Sequence, residues 1–188
     1  MNILAIVGSP RPKGNTNYLV DKALEEAAKS GLQTEKIILS QYDIRPCLGH
    51  DNCATLKKCT QEDDAPWILE RFCEADAVIL ATPVYWYNVT AQMKAFIDRN
   101  YFLYQHGIQP RAKVVGIIIP AEMEGIEDTL NTLRKFAEWT FPIAKNRIIS
   151  VTGYANKMGE AEANTSLVND AITLGCDIAD ILLEDGKS

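Results

Sequence analysis

Short apolar runs rich in β-branched residues alternate along this chain with longer stretches in which apolar positions recur every three or four residues. The runs are Asn2–Val7 (NILAIV), Glu35–Leu39, Ala77–Thr82 (AVILAT), Lys113–Ile119 (KVVGIII) and Arg147–Val151. Their near-continuous apolar character predicts strands buried on both faces. The longer stretches predict helices over Thr16–Ser30, Ala65–Glu74, Thr90–Phe102, Ile126–Trp139 and about Glu160–Leu183. In the first helix Leu19, Ala23, Leu24, Ala27 and Ala28 share a face, and Gly31-Leu32 follows as a stop signal. In the last, Leu167, Ala171, Leu174, Ile178 and Ile181 do the same. Strands alternating with helices specify an α/β fold whose parallel sheet is covered on both faces. No internal repeat or low-complexity segment interrupts the pattern, and 188 residues are enough for one domain with one sizeable core. Ligands of such sheets lie beyond the carboxyl ends of the strands, beside the topological switch point. The loops after Val7, Leu39, Thr82 and Ile119 are therefore where chemistry is expected.

The loop after the first strand reads Gly8-Ser-Pro-Arg-Pro-Lys-Gly-Asn-Thr-Asn17 and runs into a helix. A helix start offers unpaired N–H groups and the positive end of a dipole, which suits a phosphate. Ser9, Asn15, Thr16 and Asn17 add neutral donors, Arg11 and Lys13 add charge, Gly14 permits close backbone approach, and Pro10 and Pro12 stiffen the turn. Lys13 precedes Gly14, and Asn15-Thr16 follow it, so this is not the G-x-x-x-x-G-K-[ST] loop of a triphosphatase. The G-x-G-x-x-G dinucleotide fingerprint is missing as well. A plain strand-to-helix connection rich in capping residues is the alternative reading.

The third strand runs into Pro83-Val-Tyr-Trp-Tyr-Asn88. Three consecutive aromatics at a strand's carboxyl end form a stacking surface for a flat heterocycle, unless they merely plug the top of the core. A phosphate loop and a ring loop on neighbouring strands of one sheet together point to flavin mononucleotide, FMN.

The segments GSPRPKGNTN (8–17), RPCLGHDNCATLKKCTQEDD (45–64) and ATPVYWYNVTAQMKAFIDR (81–99) resemble the NAD(P)H-dependent FMN reductases and iron–sulfur flavoproteins of the flavodoxin-like superfamily. The resemblance follows the element order of the whole chain. It implies a three-layer flavodoxin-like fold with a five-stranded parallel sheet in the order 2-1-3-4-5. It also implies FMN phosphate contacts from Ser9, Arg11, Gly14, Asn15, Thr16 and Asn17, and isoalloxazine contacts from Pro83, Val84, Tyr85, Trp86 and Tyr87. Asp98-Arg99 is expected only to support its helix, and Pro120–Gly125 to line the flavin's other side.

Three of the five cysteines, Cys47, Cys53 and Cys59, fall in one loop. Iron–sulfur flavoproteins carry four cysteines in such a run, C-x2-C-x2-C-x5-C, whereas here His50 stands second. Thiolates of Cys47, Cys53 and Cys59 with the His50 imidazole are a donor set for zinc or for a cluster with one nitrogen ligand. Free thiols packed under the turn are the favoured reading. Cys73 and Cys176 lie on apolar helix faces and read as small core residues, and His106 as a surface or interface residue.

The formal charge of −6 argues against a broad grip on nucleic acid or anionic lipid. No apolar stretch approaches the roughly 20 residues of a membrane span, and an odd cysteine count without a basic-then-apolar leader suggests a reducing, cytoplasmic setting. The expected function is transfer of electrons from NAD(P)H through FMN to a small acceptor such as a quinone, a nitro compound or free flavin. The flavin carries the chemistry, so no catalytic side chain is assigned. Two alternatives are an electron carrier with a metal or cluster in the Cys47–Cys59 loop, and an FMN-binding regulator. The surplus aromatics at Tyr85–Tyr87 and Tyr101–Tyr104 suggest a homodimer or higher homo-oligomer.

Overall fold

A computed structural model describes residues 1–186. Strands β1 (Asn2–Val7), β2 (Gln33–Ile38), β3 (Ala77–Ala81), β4 (Val114–Ala121) and β5 (Ile148–Tyr154) form one sheet in the order β2-β1-β3-β4-β5, with parallel pairing throughout. This is the flavodoxin-like arrangement that the resemblance implies. The chain reverses direction across the sheet between β1 and β3, so the loops after these two strands flank the switch point.

Alternation along the strands sorts the core into two halves. Ile3, Ala5, Val7, Ile79 and Ile118 face helices α1 (Asn15–Lys29), α6 (Glu160–Ala163) and α7 (Thr165–Asp185). Leu4, Ile6, Val78, Leu80, Ile117 and Ile119 face α2 (Ala65–Glu74), α3 (Ala91–Arg99), α4 (Tyr101–Gln105) and α5 (Ile126–Thr140). With both faces covered, neither side of a central strand needs polar residues, which is why these strands read as unbroken apolar runs.

Two helices expected to be continuous are each broken in two. At Asn100 the side-chain Nδ2 donates to the Phe96 carbonyl at 2.8 Å, and the backbone N–H donates to Ile97. The amide thus takes the acceptor that an α-helical N–H would use, and the turn tightens between α3 and α4. The final stretch restarts at Asn164, whose side chain accepts from the Leu167 N–H at 3.1 Å and caps α7. Strand β4 runs past Ile119 through Pro120. That proline lies beyond the last register partner of β3, Ala81 opposite Ile118, where the β3 strand ends. Cys73 and Cys176 are only half buried, contrary to their reading as core residues. Cys73 borders a surface groove, and Cys176 lies 3.8 Å from a Glu26 carboxylate oxygen across the contact of α7 with α1. Among the described residues no helix is long and apolar enough to cross a membrane.

Candidate functional site

At the carboxyl edge of the sheet one cleft is lined by Ser9, Arg11, Gly14, Asn15 and Thr16 from the first loop, and by Pro83, Val84 and Tyr85 from the third-strand loop. The two loops are tied together beneath it. The Gly8 N–H donates to the Ala81 carbonyl at 2.7 Å. The Thr90 hydroxyl donates to the Gly8 carbonyl at 2.7 Å while accepting from the Met93 N–H, so a single residue caps α3 and anchors the phosphate loop.

The start of α1 fits an anion. Gly14 occupies the capping position, no side chain caps the helix, and the first turn closes with Tyr18 N–H to the Gly14 carbonyl. The first-turn N–H groups of Asn15, Thr16 and Asn17 precede that bond and have no intrahelical acceptor, a ready site for phosphate oxygens. The Arg11 side chain supplies charge at the rim and is exposed.

Not every polar side chain of the loop faces the cleft. Asn15 Nδ2 donates to the carbonyls of Ala155 at 3.1 Å and Lys157 at 2.9 Å, so its amide binds the loop after β5. Asn17 is 1% exposed and donates to the Arg11 carbonyl at 3.0 Å, folding the phosphate loop upon itself. Both side chains shape the loop, and their contribution to an anion is through the backbone.

The aromatic loop is a tight hairpin in which Tyr85 and Asn88 exchange both backbone hydrogen bonds, at 2.8 and 3.1 Å. Trp86 and Tyr87 occupy its tip with φ of +48° and +62°. This primed turn normally falls to glycine or asparagine, and each bulky residue there costs about 1–2 kcal/mol. Such strain clusters at functional sites. Tyr85 lines the cleft, whereas Trp86, 94% exposed, and Tyr87 stand outside it. Gly125 packs directly behind the hairpin: a Cβ there would lie 2.7 Å from Tyr87 Cα and 2.8 Å from Val84 Cγ1.

Pro120, near the end of β4, and Glu122, just after it, complete that side of the cleft. Ala155, Asn156 and Met158, from the loop after β5, form a wall that sequence reasoning missed. Asn156 Nδ2 donates to Glu122 Oε1 at 2.8 Å and joins the two walls. The only cue was the loop's position at the end of a parallel strand.

The cysteine loop is pinned by a buried ion pair. Arg99 donates to both oxygens of Asp63, the Nη2–Oδ1 contact being 3.0 Å, and the two side chains are 2% and 0% exposed. Arg99 also donates to the Arg45 carbonyl at 3.1 Å and to Cys59 Sγ at 3.3 Å. Asp63 further accepts from the N–H groups of Arg45 at 3.0 Å and Ala65 at 3.2 Å. Burial by itself would raise the Asp63 carboxyl, but these donors outweigh it and hold the group below the ordinary carboxylate range. Arg99, expected only to support its helix, is thus the hub that joins α3 to the cysteine loop. His106 adds a second tie, its ring nitrogens meeting the carbonyls of Phe102 at 2.8 Å and Leu56 at 2.7 Å.

Cys47, His50, Cys53 and Cys59 border one cavity of about 20 Å³, room for roughly one water molecule. Among the described residues no three His, Cys, Asp or Glu side chains form a set able to hold a metal ion. Burial, then the neighbouring Cys59 and Cys47, push the Cys53 thiol up.

Fold and cleft define a flavodoxin-like protein with an uncapped helix start and an aromatic hairpin at its switch point. The chain belongs to the NADPH-dependent FMN reductase family, whose profile matches residues 1–163. Over 130 residues it is 42% identical to an iron–sulfur flavoprotein of Methanocaldococcus jannaschii, covering 69% of this chain and 67% of that protein. It is 43% identical over 113 residues to an iron–sulfur flavoprotein of Archaeoglobus fulgidus, covering 60% of this chain and 50% of that protein. The matched stretch is thus about half the length of the second relative. Among solved structures, RosB with bound 8-demethyl-8-formylriboflavin-5'-phosphate superposes with a TM-score of 0.80 at 19% identity, covering 100% of this chain and 81% of that one. An FMN-dependent NADH-azoreductase of Bacillus anthracis in complex with FMN gives 0.71 at 13% identity, covering 95% and 100%. At these identities the structural likeness establishes the fold.

Proposed function

We propose that the cleft between the phosphate loop and the aromatic hairpin holds FMN and passes electrons from NAD(P)H to a small planar acceptor, namely a quinone, a nitro compound or free flavin. The observation that carries this reading is that one cleft is bordered both by the uncapped start of α1 and by Pro83–Tyr85. The N–H groups of Asn15 and Thr16 and the Arg11 guanidinium hold the phosphate, while Pro83, Val84 and Tyr85 take the ring edge. Glu122 and Asn156, joined to each other, face the polar chain between them. Bound FMN supplies two-electron acceptance from a nicotinamide and onward donation. The protein's part is to fix the ring at the sheet edge and leave one side open beside Trp86. Visible absorbance of the purified protein, FMN titration of the apoprotein, and turnover of NADH and NADPH with a quinone and nitroarene panel test this reading. Flavin bands and acceptor-dependent nicotinamide oxidation are expected. No tight FMN binding would overturn the site, and FMN binding without turnover would make the chain a flavin-binding regulator.

A further inference from the structure

Asn15 opens α1, and its backbone N–H is the first of the donors left without an intrahelical acceptor at that helix start. Its side chain reaches instead to a segment 140 or more positions away. Nδ2 donates to the carbonyls of Ala155 at 3.1 Å and Lys157 at 2.9 Å, and Oδ1 accepts from the Ala161 N–H at 3.3 Å. Ala155 and Ala161 are buried, whereas residues 156–160 between them are exposed. One amide therefore brackets an exposed turn at both of its ends. Within the turn the Asn156 N–H donates to Glu160 Oε2 at 2.6 Å, and the Glu160 N–H to the Lys157 carbonyl at 3.1 Å. The Asn156 side chain ties the turn to Glu122 across the cleft at 2.8 Å. Gly159, at φ of +90°, has nothing within 4 Å of the place a Cβ would take, so no packing holds it. Asn156 and Met158 are the residues this turn gives to the cleft, and the Asn15 amide fixes where they stand.

We propose that Asn15 is a positioning residue that couples occupancy of the anion site at α1 to closure of the 156–160 turn over the cleft, which rests on the FMN reading of that site. An anion on the first-turn N–H groups steadies the Asn15 backbone. The side chain carries that restraint to the carbonyls of Ala155 and Lys157 and to the N–H of Ala161. In the other direction, the bracketed turn steadies the start of α1 before the anion arrives. Such coupling is reciprocal: the factor by which the anion favours the closed turn is the factor by which the closed turn favours the anion. Because the amide is turned to the strap, removing it leaves the backbone donors of the anion site in place and breaks only the link. Alanine at position 15 keeps the N–H and favours a helix, so Asn15→Ala removes the side-chain bonds with little else.

The turn carries its own reporter, the exposed Lys157. The full chain is digested with trypsin under native conditions, with and without saturating FMN, and cleavage after Lys157 is followed by mass spectrometry. Cleavage after the exposed Lys57 and Lys58, on a different loop, is the reference for global opening. Without ligand, Asn15→Ala is expected to be cut faster after Lys157 than the parent, with the reference sites unchanged. FMN is expected to slow the Lys157 cut roughly tenfold in the parent and not in Asn15→Ala, whose FMN affinity falls by about the same factor. Equal rates after Lys157 in the two unliganded proteins would overturn the proposal. Equal protection by FMN in both would overturn it as well, since the amide would then be a structural tie without coupling. Hydrogen exchange on the parent needs no variant: FMN should slow the Ala161 amide, which lies outside the cleft lining, and no slowing there would count equally against the proposal. A parent that binds no FMN would refute the FMN reading instead. Inorganic phosphate then takes the place of FMN in the same digest, and protection of Lys157 in the parent but not in Asn15→Ala supports the coupling, while none overturns it.

Discussion

Replacing Gly125 with alanine tests whether the hairpin at the cleft is held from behind. Gly125 has φ of +97°, a region in which a Cβ costs about 1–2 kcal/mol. The new methyl would also lie 2.7 Å from Tyr87 Cα and 2.8 Å from Val84 Cγ1. One of these atoms is backbone, so relief requires moving the hairpin rather than turning a side chain. Overpacking of this kind costs about 1–3 kcal/mol, which makes the whole effect about 2–5 kcal/mol. At this chain length such a loss lowers the melting temperature by roughly 4–20 °C. Gly31→Ala is the control, since Gly31 has φ of +81° but nothing within 4 Å of the added carbon, and only the backbone cost applies. Thermal melts of both apoproteins and fluorescence titrations with FMN should show Gly125→Ala losing more stability and binding FMN more weakly. Equal melting temperatures for the two variants, or unchanged FMN affinity in Gly125→Ala, would refute the contact between this loop and the hairpin.

The Arg11→Ala variant should bind FMN roughly tenfold more weakly, the small end of a charge-assisted contact because the side chain is exposed; fluorescence titration at fixed salt reads it. Tyr85→Ala should weaken FMN by about two- to tenfold through lost stacking, while Trp86→Ala should leave the affinity unchanged; equal losses would put Trp86 on the flavin. Removing Arg99 as Arg99→Met strands the Asp63 carboxylate and should cost about 3–5 kcal/mol in urea unfolding. Because Asp63 is held below its unfolded value, its contribution is present above about pH 4 and is lost as pH falls through the folded value. Asp63→Asn should therefore flatten the acid limb of stability against pH, and an unaltered limb would count against the hub. Exposed Trp86, Tyr104 and Trp139 predict a homodimer at micromolar concentration, and a monomer in sedimentation velocity would contradict it.

The sheet could be read from the chain because each central strand is buried on both faces and carries no polar interruption. Similarly, Ser9, Arg11 and Thr16 were legible as a polar strand-end loop, and they do line one cleft. What stayed hidden depended on geometry between distant residues. Arg99 and Asp63 lie 36 positions apart, and nothing in the periodicity of either segment marks them as partners. Asn15 and Asn17 are as polar as any phosphate ligand, yet their amides are drawn to the carbonyls of Ala155, Lys157 and Arg11. The break at Asn100 arises from one side-chain bond to the carbonyl four residues back, where helical spacing of the apolar positions continues undisturbed. The loop after β5 has no signature residues and contributes its wall by location.

The missing cap on α1 has a consequence for how the protein fares in a cell. Donors left open at a helix start are met only by water until a phosphate arrives, so the empty chain is the less stable one. Loading then adds stability that grows with the logarithm of free FMN above its dissociation constant. A protein that is marginally stable when empty is cleared faster than one that is full. If FMN binds at this first turn as proposed, the amount of folded protein follows the supply of flavin.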